Sequence, residues 1–441
     1  MGEWMDCRLA DVCASIDYGF TASASAAPIG PKFLRITDIV GSGLRWETVP
    51  YVNGDITTLD RYRLHDGDIV IARTGATTGE SQFIQNPPVA VFASYLVRLS
   101  IKREVDPRYV AYWLKSASFR GYLQGVLGDK SAQPNASAST MTNAPMRLPT
   151  DRNYQSAVTS ILGALDDKID LNRRMNETLE AMVRAIFKDW FVDFGPTRAK
   201  MEGRATYLAR HLWSLFPNRL NGDGKPEGWL VRSIDEIALK IGMGPFGSNI
   251  KVSTFVANGI PIVSGQHLTD TLLLDGKYNF ITDAHAEKLR SSNVFRGDVI
   301  FTHAGNIGQV SYIPKTSRFA RYVLSQRQFY LRCDLAKISP LFIVYFFKSL
   351  EGQHALLANT SSVGVPSISR PVTNLKAITF FCPPKPLVDH FDGVVEPMHK
   401  SIAQNQQQSK ALSKIRDLLL PKLMSGKIRV KDAEKLAGAV A

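Results

Sequence analysis

Gly67-Asp68-Ile69-Val70, followed by Gly75, returns as Gly297-Asp298-Val299-Ile300, followed by Gly305. A self-match at a spacing of about 230 residues in a chain of 441 means that one architecture is written twice. The match extends outward in both directions. Trp4 with Leu9 returns as Trp229 with Ile234, and Pro107 with Tyr112, Lys115 and Ser116 returns as Pro340 with Tyr345, Lys348 and Ser349. Pro134-Asn135-Ala136-Ser137 returns as Pro366-Ser367-Ile368-Ser369. Around these anchors, short apolar runs such as 68–72 and 90–99 are broken by Gly, Pro and Asn clusters, the pattern of strands and turns. Each half therefore begins with a globular α/β domain of about 150 residues.

From Tyr154 the periodicity changes. Leu162, Leu165, Ile169, Asn172, Asn176, Leu179, Val183, Ile186 and Trp190 step by three and four, which is a heptad seam on a long helix. The second half repeats it at a constant offset of 233: Val395, Met398, Ile402, Asn405, Ser409, Leu412, Arg416, Leu419 and Leu423. Two such stripes in one chain can bury each other, and a pseudo-twofold repeat of domain then helix makes the pair antiparallel. Asn172 and Asn405, at matched seam positions, cost stability but fix register. Pro397 is expected to kink the second helix or mark its effective start. Arg416 is expected to carry its long stem past the neighbouring helix. The fold class is thus α+β: two pseudo-repeated globular α/β domains separated by an antiparallel pair of long coiled-coil helices.

Composition narrows the function. Lys+Arg 53 against Asp+Glu 40 leaves a formal charge of +13, which favours a polyanionic partner, nucleic acid first. Cys7, Cys13, Cys333 and Cys382 form no CxxC pair, so neither a disulfide framework nor a zinc ribbon is spelled out, and a reducing cytoplasm is the expected compartment. The longest fully apolar run, 341–347, is far below membrane-spanning length. Asn86-Pro87-Pro88-Val89 approaches the element with which amino-methyltransferases grip an exocyclic amine, but it ends in Val where an aromatic should stack. Gly222-Asp223-Gly224-Lys225 lacks the spacing of a phosphate-cradling loop. His65, His267, His303 and His390 show no metal-binding spacing, and no Ser or Cys stands in a nucleophile-elbow context, so a binding protein is expected rather than an enzyme.

Candidate DNA-contacting residues are the polar and basic side chains near Gly-rich turns, where backbone can approach a groove and Arg, Asn or Gln can pair with base edges. In the first domain these are Thr21, Ser23, Lys32, Arg35, Arg73, Thr77, Thr78, Lys130 and Gln133. In the second they are Ser248, Asn249, Lys251, Gln266, His267, His303, Asn306, Gln326, Arg327 and Ser362. Arg73 and Arg327 rank first because a guanidinium serves either phosphate or guanine.

The repeated Gly-Asp strands, the Gly244-Pro245-Phe246-Gly247-Ser248 turn, the stretch 161–169 running on to Phe187-Lys188-Asp189-Trp190-Phe191, the passage 194–204, Pro226-Glu227-Gly228-Trp229 and the run 420–427 together resemble the specificity subunit of type I restriction-modification systems. The resemblance covers essentially the whole chain. It implies target-recognition domains at 1–150 and 229–385, long helices at 151–194 and 386–427, a linker at 195–228 and a tail at 428–441. It also implies a non-catalytic subunit in which each domain reads one half of a bipartite double-stranded DNA site. The helices would set the spacer through the seam (Leu162, Leu165, Ile169, Asn172, Leu179, Ile186; Met398, Ile402, Asn405, Leu412, Leu419) and dock two modification subunits. S-adenosylmethionine, ATP and Mg are expected on the modification subunits and on two restriction subunits, with no cofactor or metal on this chain. The rival reading, an adenine-specific DNA methyltransferase with its own catalytic site, needs a donor-binding Gly-rich turn that the sequence lacks.

Overall fold

The computed structural model describes residues 3–41, 43–128, 134–273, 276–361 and 364–438. It divides into two compact units. The first comprises Met1–Met175 with Gln404–Ala441, and the second Asn176–Ala403.

The Gly-Asp motif explains itself locally. Gly67 and Gly297 adopt left-handed φ of +89° and +97°, which a side chain resists. The following aspartate closes the turn by accepting the amide three residues back: His65 N donates to Asp68 at 2.8 Å, and Phe295 N to Asp298 at 2.8 Å. Both carboxylates are buried, so each needs a further partner. Asp68 accepts the Ser100 hydroxyl at 2.7 Å, whereas Asp298 is gripped by Arg332 at 2.7 and 2.8 Å. The strands that follow, Ile69–Ala72 and Val299–Thr302, are buried on both faces.

In the first unit, Cys13–Tyr18, Leu96–Ile101, Ile69–Ala72 and Ser81–Phe83 form an antiparallel sheet in that order. Ala238–Met243, Gln328–Cys333, Val299–Thr302 and Val310–Tyr312 reproduce it in the second. A second sheet carries a parallel pair in each unit, Lys32–Leu34 beside Ala90–Phe92 and Ile260–Val263 beside Arg321–Leu324. Each unit is closed by a two-stranded ribbon, Trp4–Arg8 with Pro145–Pro149 and Leu230–Ser233 with Thr379–Cys382. The repeated tryptophans anchor these ribbons. Trp4 packs edge-on against Tyr154 and over Gly426, where a Cβ would stand 2.9 Å from the indole. Trp229 packs edge-on against Phe194 at 5.5 Å between ring centroids.

The long helices run Arg152–Phe187, continued by a π turn at Lys188–Val192, and Lys385–Met424. In the first unit Tyr154 donates to the Leu423 carbonyl at 3.2 Å, Asp166 pairs with Arg416 at 2.7 Å, and Asn172 donates to Gln408 at 2.9 Å and Ser409 at 3.2 Å. Partner numbers fall as helix numbers rise, so the pairing is antiparallel as expected. Leu162 and Leu165 are buried with Leu412, Leu419 and Leu423 in one core, with Ile169 against it. In the second unit Val183, Phe187 and Trp190 share a core with Phe391, Val395 and Ile402, and Leu179, Ile186 and Met398 border it.

Two expectations are corrected. The second helix neither starts nor breaks at Pro397, which lies a dozen residues inside it; the amide that proline lacks would have served the carbonyl of Gly393, which is exposed. Arg416 does not pass the neighbouring helix. It ends in an ion pair with Asp166, whose other oxygen accepts the Tyr112 hydroxyl at 2.7 Å. The 195–228 stretch carries helices at Gly195–Met201 and Arg210–Trp213. The tail holds a further helix, Val430–Gly438, which buries Ala433 in the first unit's core.

At the place of Tyr112 and Asp166 the second unit has Tyr345 and His399, joined hydroxyl to Nε2 at 2.7 Å. Burial pushes the imidazole down to about 4, so it is neutral and accepts the tyrosine proton. A buried neutral histidine stabilises the fold above its ordinary value of 6.5, and that contribution is lost as pH falls from 6.5 toward 4, because the unfolded chain then binds the extra proton. The shift corresponds to roughly 3 kcal/mol. Asp392, held up to about 6 by burial, works in the opposite sense over part of that window, so the parent must be compared with a variant. Between pH 7 and pH 4, denaturant titration of the parent should lose roughly 3 kcal/mol more than His399→Gln; parallel profiles would show that this site does not govern acid stability.

Candidate nucleic-acid interface

The Gly-rich turns after the central strands are held alike in the two units. Gly75 N donates to Pro134 O at 2.9 Å and Ala136 N to Arg73 O at 2.8 Å; Gly305 N donates to Pro366 O at 2.9 Å and Ile368 N to His303 O at 2.8 Å. The repeated Pro segments are therefore clamps that pin each turn through backbone bonds, indifferent to side chains. On its other flank each turn takes a carbonyl from the next loop, Arg73 N from Tyr95 O at 3.0 Å and His303 N from Arg327 O at 2.9 Å. Position 73 thus matches 303, and 95 matches 327.

Side chains on this common frame differ. Arg73 lies over the Tyr18 ring at 4.8 Å, reaches Asn135 Oδ1 at 3.4 Å and leaves its Nε buried without a partner among the described residues. Tyr95 is 61% exposed beside it. In the second unit, burial and the neighbouring Arg327 hold His303 below the ordinary imidazole range, so it is neutral. Its Nε2 donates to Gln326 O at 3.0 Å. The cation there stands instead at exposed Arg327, whose guanidinium lies beside Gly305. One unit presents a cation at the first position and an aromatic at the second; the other presents an imidazole and then a cation.

A third loop joins each cluster. Gly19 N donates to Leu96 O at 3.4 Å and Gly244 N to Gln328 O at 2.8 Å, and a Cβ on either glycine would collide with a carbonyl oxygen, that of Ala93 or of Ser325. Thr21 and Ser23 follow Gly19 and are exposed. Asn249, exposed, donates to Phe246 O at 2.6 Å; the Ser248 side chain lies outside the described residues. Thr77 is half-buried, and Thr78 is spent on Gly75 O at 2.7 Å and Pro134 O at 3.1 Å. Asn306 and Gln326 are exposed, with Gln326 donating to Gly247 O. Lys251 is exposed at the end of the 244–250 loop.

Other candidates are engaged elsewhere. His267 is buried, stacked on Tyr278, with Nδ1 accepting from Ser264 N at 3.1 Å and Nε2 donating to Lys277 O at 3.1 Å, so the structure places it in the core. Gln266, exposed, leans on that same imidazole at 3.4 Å. Lys32 caps Val49 O at 2.7 Å over the Tyr51 ring, and Arg35 is bidentate to Asp38 at 2.9 and 3.0 Å. The Lys32 head is thus held by a carbonyl and a ring, and the Arg35 head is paired with a carboxylate. Lys130, Gln133 and Ser362 lie outside the described residues. Tyr18, Tyr95 and Asn135 were missed, because a search for polar residues beside glycines passes over aromatics and over partners brought in by the clamp.

Each unit thus gathers polar, cationic and aromatic side chains on one shared backbone frame. Residues 1–181 match the family described as the type I restriction modification DNA specificity domain. The chain is similar to the MjaIX type I restriction enzyme specificity subunit of Methanocaldococcus jannaschii, 24% identical over 75% of this chain and 71% of that one. It is also similar to the HindI specificity subunit of Haemophilus influenzae, 21% identical over 97% of this chain and 100% of that one. Its fold is that of the crystal structure of the type I restriction-modification S subunit from M. genitalium, at TM-score 0.56 and 14% identity, covering 96% of both chains. The family match thus covers the first unit's domain and most of the first long helix, and the likeness to specificity subunits extends over most of the chain. Among the described residues no helix is long and apolar enough to cross a membrane.

Arg73→Ala and Arg327→Ala should each weaken binding to the cognate duplex. A base contact costs about 1–3 kcal/mol at one position of one half-site, while a phosphate contact lowers the salt slope by about one and weakens all sequences alike. Fluorescence anisotropy at several salt concentrations separates these, and unchanged affinity for both variants would remove these turns from the interface.

Proposed function

We propose that this chain is the sequence-reading subunit of a type I restriction-modification complex, each unit recognising one half of a split double-stranded DNA site. The observation that carries the reading is one backbone frame built twice with different side chains at its tips. A single recognition architecture then serves two different half-sequences. The chain supplies no chemistry of its own: two modification subunits bring S-adenosylmethionine and methylate adenine, and two restriction subunits bring ATP-dependent translocation and cleavage with Mg. The compartment is the cytoplasm, where that DNA lies. The relatives' names and the +13 charge support this assignment.

The long helices serve as the spacer ruler and as the docking surface for the modification subunits. Both boundaries between the compact units fall within one heptad of the paired asparagines, after residue 175 and before residue 404. A heptad added near Asn172 and another near Asn405 should therefore spare both cores while adding roughly 10 Å at 1.5 Å per residue. At about 3.4 Å per base pair, that is about three base pairs of spacer, with a rotation of the second half-site. Methylation mapping should find either a longer spacer or loss of specific methylation; undiminished methylation at the original spacing would rule the helices out as ruler.

Two further outcomes test the reader itself. The purified chain alone should transfer no methyl group, and adding a modification subunit with S-adenosylmethionine should yield adenine methylation at a split site. Exchange of residues 1–150 for a relative's domain should alter one half of that site only; alteration of both halves would show that the readers are not independent.

A further inference from the structure

Phe246 is 72% exposed at the tip of a turn whose backbone is fixed on every side. Gly244 is pressed against the Ser325 carbonyl, Pro245 is buried, and Gly247 takes a left-handed φ of +64°. Three carbonyl contacts hold the tip: Asn249 Nδ2 on Phe246 O at 2.6 Å, Gln326 on Gly247 O, and His285 Nε2 on Asn249 O at 2.9 Å. An apolar ring held out into water by so many bonds stabilises nothing within its own unit. Its neighbours through Gln326 are exposed Arg327 and neutral His303, groups suited to base edges and phosphates.

The repeat sharpens the point. Tyr18 pairs with Val97 as Met243 pairs with Phe329, and Gly19 and Gly244 come next with the same close approach to the following loop. Counting on from these glycines, Thr21 stands where Phe246 stands. The same tip thus carries a hydroxyl in the first unit and an aromatic in the second.

We infer that Phe246 packs against bases of the half-site read by the second unit, as a stacking or wedge contact to unpaired faces or methyl groups, while Thr21 meets the other half-site by hydrogen bonding. The inference rests on the reading under Proposed function and names the side chain that distinguishes its two halves. Aromatic and apolar residues inserted at base steps are a recurrent source of affinity and deformation-based selectivity.

The test uses the full chain assembled with its modification subunit. Genome-wide adenine methylation in cells carrying the parent gives the split site, and the 1–150 exchange shows which half belongs to the second unit. On a duplex bearing that site, Phe246→Ala should bind about tenfold or more weakly, the size of one lost base–aromatic contact, with methylation relaxed in the second half only. Phe246→Trp should stay within about threefold of the parent, and both variants should melt as the parent does. Parent-like binding and specificity in Phe246→Ala, or equal loss on both halves and on unrelated DNA, overturns the inference while leaving the split-site reading intact. A parent that methylates no split site overturns that reading and the inference with it.

Discussion

The apolar stripes of two helices, of 36 and 40 residues, must be taken out of water, and neither helix can do this alone. Each compact unit solves half of the problem by borrowing. The first takes the start of the first helix and the end of the second, burying Leu162 and Leu165 with Leu412, Leu419 and Leu423. The second takes the remaining portions, with Val183, Phe187 and Trp190 against Phe391, Val395 and Ile402. The first unit therefore cannot complete its core until the last residues of the chain are present. Polar groups within the seam restrict how this happens. Asn172 finds acceptors in Gln408 and Ser409 in the antiparallel register observed, and the Tyr112–Asp166–Arg416 group gives the first unit a charged signature that the neutral Tyr345–His399 pair of the second does not share. Mispairing would leave the partly exposed Asp166 and Arg416 without each other, a loss that solvent screening holds to about 1 kcal/mol or less.

On this base, the interface separates what must be constant from what can vary. The clamps at Pro134 and Pro366, the tight glycines 19 and 244, and the carbonyls of residues 95 and 327 all act through backbone atoms. Side chains at 21, 73 and 95, and at 246, 303 and 327, differ between the units, with Arg73 still meeting Tyr18 and Asn135 and His303 the Gln326 carbonyl. Recognition can change most freely at Thr21, Tyr95, Phe246 and Arg327, which are exposed.

Several sequence expectations survive in form but change in meaning. The Gly-Asp motif marks the repeat, and its aspartates turn out to be turn locks with different second partners, Ser100 and Arg332. Lys32, Arg35 and His267 looked like readers because charge and loop position are visible in a sequence; the Val49 carbonyl and the Tyr278 ring that occupy two of them lie farther along the chain, while Asp38, three residues after Arg35, was within reach of the sequence. The equivalence of Thr21 and Phe246 was within reach, since it needs only the repeat offset at the first strand, but a search restricted to polar side chains does not ask what an aromatic does on a turn.

By itself, the sequence determined the duplication, the two α/β domains, the heptad seams and their antiparallel pairing, because periodicity and self-similarity are properties of residue order alone. Tertiary structure decided that the units share both helices, that Pro397 lies inside a continuous helix, and which polar groups remain free at the tips. Those outcomes depend on which carbonyl, carboxylate or ring each side chain meets across the fold, and such meetings are set by packing at long sequence separation.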